Sequence, residues 1–188
     1  FMGFTAPQNS GKSALLNNFA TAVLQNNDTS KFLLLYWTID DNKYTLYDKM
    51  VANIAKVPIY EVNAFNNSST ENRPKIVKAM NVVEKWIKHD QCLSVKDSDI
   101  GKSGDDCKNW VLAMKERFPD RNIMLVIDNF SNMTGPQKDD FAIEGYNINV
   151  LHDLRTKYEV AVISSFETNK EGSEGRFTNK GQKGSQSK

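Results

Sequence analysis

The sequence predicts an α/β protein in which a parallel β-sheet is sandwiched between helices. Three observations carry that reading. Apolar runs of strand length alternate along the chain with segments whose apolar residues recur at helical spacing. A short loop of small residues ending in glycine, lysine and serine falls between the first strand and the first helix. The 188 residues, 39% hydrophobic and 25% charged, suit one globular domain with a real core.

The elements follow in order. "FMGFT" at the amino end is a short strand, and 13–24 is a helix with Leu15, Leu16, Phe19, Ala20 and Val23 on one face. "KFLLLYWTI", 31–39, is a continuous apolar run, as expected of a strand buried on both faces. Helical spacing returns over 45–56 and, after the polar loop "NNSSTEN", over 73–89, where Pro74 is placed to start the helix. A short strand "CLSVK" comes next, then a helix over 105–117, the buried strand "NIMLVID", a helix over 141–158 and the buried strand "VAVISSF". Strands alternating with helices mean crossover connections and a parallel sheet. The carboxyl end has no apolar periodicity, so 1–170 reads as the core and 171–188 as a flexible basic loop. The apolar start at Phe1 and the polar stop at Lys188 lead us to expect a fragment of a longer chain, truncated at the carboxyl end.

A net charge of +1 supplies little overall steering, so any nucleic-acid contact has to come from a local patch. No apolar run has the length of a membrane span, and the amino end carries no signal-like pattern, so a cytoplasmic protein without membrane contact is expected. Cys92 and Cys107 fit neither a CxxC metal site nor a disulfide scaffold and read as ordinary buried or half-buried thiols in a reducing compartment.

Ala6 to Ser13 reads A-x-x-x-x-G-K-S, a phosphate-binding loop with alanine in place of the usual first glycine. Ala6, Gln8, Asn9, Ser10, Gly11, Lys12, Ser13 and Ala14 are its candidate binding residues. Small side chains let backbone N–H groups turn inward around phosphates, and the positive end of the following helix faces the same anions. Lys12 is placed to reach the β- and γ-phosphates, and the Ser13 hydroxyl to help hold Mg²⁺. "NIMLVID" has the form of a Walker B strand, whose terminal Asp128 would hold Mg²⁺ through water; the plainer alternative is a turn or cap residue. Asp40 and Asp41 end the 31–39 strand, where a group that polarises water belongs. Adjacent acids alternate in direction, so one can face the nucleotide while the other caps the helix near Tyr44.

The order APQNSGKS, YWTIDDNK, LVIDNFSNM, VISSFETNK and QKGSQ resembles the RecA-like motor domain of DnaB-type hexameric replicative helicases, including phage and mobile-element versions. The resemblance covers nearly the whole chain. It implies a RecA-like P-loop NTPase that hydrolyses ATP with Mg²⁺ in a homohexameric ring and moves along single-stranded DNA, with a primase or a helicase loader as partner. The family's catalytic glutamate corresponds to Asp40 or its neighbour Asp41, a shorter side chain. Its γ-phosphate-sensing glutamine corresponds to Glu167, an anion that would repel phosphate unless protonated or turned toward a cation such as Lys170. Its DNA loop matches Lys183, Gly184 and Ser185, whose single cation and small residues suit phosphate contacts without base readout. The family's arginine finger falls beyond Lys188. A RecA-like recombinase and a helicase-loader or regulatory nucleotide switch with slow hydrolysis would share the same core.

Overall fold

The computed structural model describes residues 1–97 and 101–167. Its five strands are β1 (Met2–Ala6), β2 (Phe32–Thr38), β3 (Leu93–Lys96), β4 (Asn122–Asp128) and β5 (Ala161–Glu167). They form one sheet in the order β1-β5-β4-β2-β3, every pairing parallel. Successive strand side chains point to opposite faces, and β2 shows the consequence: Leu34 and Tyr36 enter one apolar cluster, Leu33, Leu35 and Trp37 the other. A strand packed on both faces has to be apolar throughout, which is the origin of the run over 31–39.

Helices α1 (Lys12–Asn26), α2 (Lys43–Ala55) and α4 (Arg73–Glu84) cover the first face through Leu16, Met50 and Ile76, with the short α3 (Ile59–Asn63) beside them. On the second face, α5 (Gly104–Arg117) and α6 (Asp140–Tyr158) bring in Val111 and Leu151. The parallel α/β sandwich expected from the sequence is therefore present. Both cysteines are buried and unpaired. Burial pushes the Cys92 thiol up to about 11 and Cys107 further, so both are neutral at ordinary pH. No described helix is long and apolar enough to cross a membrane.

Several local expectations are corrected. The buried stripe of α1 is Leu16, Asn17, Ala20, Thr21 and Leu24, while Leu15 is 50% exposed. Two polar residues can lie in that stripe because each has a partner: Thr21 Oγ1 donates to the Asn17 carbonyl at 2.8 Å, and Asn17 Nδ2 to that of Leu46 at 3.4 Å. The helix expected over 73–89 is α-helical only to Glu84 and continues as one π turn, Lys85–His89, which buries Trp86. Asn42, and neither aspartate, caps α2, its side chain accepting from the Thr45 N–H at 2.9 Å. Both aspartates are held elsewhere, as described below. The DNA-contact candidates Lys183, Gly184 and Ser185, the loop over 171–188 and Lys170 lie outside the described residues.

Candidate active site

In an all-parallel sheet the carboxyl ends of the strands share one edge, and ligands bind in the crevice outside it. Here the loops after β1, β2 and β4 and the last residue of β5 meet around a cavity of about 400 Å³. The loop after β1 turns through left-handed backbone at Asn9 (φ 61°) and Gly11 (φ 88°). Asparagine tolerates that region and glycine adopts it without cost. A Cβ on Gly11 would meet nothing within 4 Å, so its requirement is conformational. Gly11 is also the N-cap of α1 and supplies no side-chain cap, leaving the first-turn N–H groups for another acceptor.

Of the loop residues singled out, Gln8, Asn9, Gly11, Lys12 and Ser13 line the cavity, whereas Ala6, Ser10 and Ala14 are not among its lining residues. Ala6 contributes through its backbone: Lys12 Nζ donates to the carbonyls of Ala6 at 2.9 Å and Pro7 at 2.7 Å. The ammonium is thus parked on the loop it follows.

Asp128, 7% exposed at the end of β4, is the centre of a hydroxyl network. Its Oδ1 accepts from Ser13 Oγ at 3.2 Å and from Ser165 Oγ at 2.9 Å; its Oδ2 accepts from Tyr36 OH at 3.3 Å. Burial, then the charge of Asp128, raise the Tyr36 hydroxyl well above its ordinary range, so Tyr36 stays a donor. The 3.2 Å bond joins the first turn of α1 to the end of β4 across 115 residues of sequence.

Asp40 and Asp41 both line the cavity but have different partners. Asp41 accepts from Lys49 of α2 in an ion pair, and its carbonyl accepts from Thr38 Oγ1 at 3.2 Å. Asp40 accepts from Asn132 Nδ2, on the turn that follows β4. Glu167 ends β5 and lines the cavity, and its N–H donates to Ser131 Oγ at 3.0 Å. Among the described residues four carboxylates and one lysine, Lys12, line the cavity, and one of the four, Asp41, is paired with Lys49.

Sequence reasoning missed Tyr36, Ser165 and Asn132. A hydroxyl inside a strand buried on both faces needs a partner, so the tyrosine in "FLLLYWT" and the serines in "VISSF" were readable signals; Asn132 had none.

Among solved structures, the chain is similar to a DnaB-like replicative helicase described with its interactions with primase: TM-score 0.79, 14% identity, 95% of this chain and 41% of that one covered. It is equally similar to a second structure, described as an ATPase domain, with a TM-score of 0.79 and 14% identity over 94% of this chain and 60% of that one. The chain spans less than two thirds of either. No family model and no curated protein sequence matches it. The shared property is the fold.

Proposed function

We propose that this chain is the motor ATPase domain of a DnaB-type replicative helicase, binding ATP with Mg²⁺ and, in an assembled homohexameric ring, coupling hydrolysis to movement along single-stranded DNA. The observation that carries the reading is the contact of Ser13 with Asp128 beneath the loop that bears Lys12. Primase or a loader would be partners of that ring.

The donor set fits Mg²⁺. A serine hydroxyl and a carboxylate are hard oxygen ligands. Among the described residues no group of three or more His, Cys, Asp or Glu could hold a metal ion, which suits an ion completed by phosphate and water oxygens. Ser13 and Asp128 would hold it, and once bound it neutralises charge on the transferred phosphoryl group.

The chain's own residues do the rest. Inward N–H groups of the loop and the first turn of α1 take up the phosphates. Lys12 exchanges two neutral carbonyl acceptors for anionic ones, a stronger charge-assisted contact. Asp40 takes the proton of the attacking water, held by Asn132. Glu167, at the end of β5, reports on the γ-phosphate side to the residues that follow it. A rim of four carboxylates disfavours an incoming triphosphate, so binding should depend on the divalent cation.

The test is strand displacement by the intact protein, with electron microscopy of the assembly. ATP-dependent unwinding by closed rings is expected. Helical filaments without unwinding would favour a recombinase, and nucleotide binding without unwinding a switch.

A further inference from the structure

We infer that Asn132 is a positioning residue for hydrolysis, acting through Asp40; this rests on the reading of Asp40 as the group that polarises water. Among the described residues, Asn132 is the hydrogen-bond donor to the Asp40 carboxylate. The two lie 92 residues apart in sequence, so the contact is made only by the fold. Asp40 itself is exposed, two residues past the end of β2.

The backbone that carries Asn132 is anchored by its neighbours. It closes a single 3₁₀ turn, Phe130–Asn132, directly after the Asp128 strand. Phe130, 1% exposed, plugs that turn into the core against Phe166 of β5, with ring centroids 4.7 Å apart. The Asn129 side chain accepts from the Ser131 N–H at 3.1 Å, and Ser131 Oγ accepts from the Glu167 N–H at 3.0 Å. The Asn132 N–H itself donates to the Asn129 carbonyl at 3.2 Å. One short turn thus ties together the ends of β4, β5 and, through Asn132, β2. A carboxylate that must meet water in a fixed direction gains from such a support, because small misplacements of a reacting group are expensive in rate.

The test uses the assembled full-length protein, measuring steady-state ATP turnover and the affinity of a fluorescent ATP analogue. Four forms are compared: wild type, Asn132→Ala, Asp40→Asn and the double variant. Asn132→Ala is expected to lower kcat by about tenfold or more while analogue affinity stays within about twofold. In the Asp40→Asn background, Asn132→Ala should cost nothing further, because a residue that acts only through another loses its effect with it. Asn132→Asp keeps the shape of the side chain and replaces the donor by a second anion, so it should slow turnover at least as much without disturbing the turn. If Asp40→Asn is slow but Asn132→Ala and Asn132→Asp turn over normally, or if the effects multiply in the double variant, the positioning role is overturned and the reading of Asp40 survives. Full turnover by Asp40→Asn overturns both.

Discussion

Asp40 and Asp41 are chemically identical neighbours, and what separates them is the partner each one finds. Asp41 is neutralised by Lys49, in an ion pair exposed enough to contribute no more than about 1 kcal/mol. Asp40 faces the same cavity with an amide as its partner, which orients a carboxylate without cancelling its charge. Asp40→Asn is therefore expected to cut turnover of the assembled protein by about 10²-fold or more at unchanged ATP affinity. Asp41→Asn should leave turnover within a few-fold of wild type. A steady-state ATPase assay on both decides, and the reverse pattern would transfer the catalytic role to Asp41. The sequence brought both acids to the right edge of the sheet but could not choose between them, because Lys49 is one helix away and Asn132 lies beyond two further strands. Lys12, Ser13 and Asp128 were legible because their motifs are local, a loop and a strand end, whereas the hydroxyls of Tyr36 and Ser165 reach Asp128 only once the strands pair.

At the scale of elements, the strands and long helices were legible because each spans several periods of its own pattern, and the bounds shift by only a residue or two except at the end of α4, five residues early. The five-residue α3 and the π turn after Glu84 escaped, being too short to show a period. The face of α1 was displaced because polarity alone hides Asn17 and Thr21, whose hydrogen bonds permit their burial. The start of α5 shows what a cap contributes. Ser103 and Asp106 form a reciprocal capping box, Ser103 Oγ accepting from the Asp106 N–H at 3.2 Å and the Asp106 carboxylate from the Ser103 N–H at 2.9 Å. Ser103→Ala is expected to cost about 0.5–2 kcal/mol in a denaturant melt. The Ser103 hydroxyl first, then its backbone, hold the Asp106 carboxyl below its usual 3.8. A depressed carboxyl contributes stability that is present above 3.8 and lost as pH falls through the folded value. The difference between wild type and Ser103→Ala should accordingly narrow below about pH 4; a gap that stays constant into stronger acid would remove the ionised carboxylate from the energetics of this cap.

For the whole molecule, one parallel sheet gathers residues between 8 and 13, between 38 and 41, 128 and 129, and 167 around a single cavity. The order of strands places β5 between β1 and β4, so the strand that carries Ser165 and Glu167 runs beside both β1, which leads into the loop before α1, and the strand that ends in Asp128. Because Glu167 lines that cavity, the proposed function would have a DNA-contacting segment follow β5, where hydrolysis could move it. Lys183→Ala in the intact ring is expected to weaken single strands of every sequence alike and to make the salt dependence of binding shallower by a slope of about 0.7. A salt titration on mixed-sequence and homopolymer strands checks it, and a wild-type slope would leave that segment without a phosphate contact. All of this depends on the cavity at the sheet edge holding ATP with a divalent cation, which a fluorescence titration of an ATP analogue with and without Mg²⁺ probes at once. Binding should require Mg²⁺ and fall by about tenfold or more in Lys12→Ala, where two phosphates lose their cation. Equal affinity in Lys12→Ala and wild type, or binding indifferent to Mg²⁺, would mean that the cavity is not a nucleotide site of this kind.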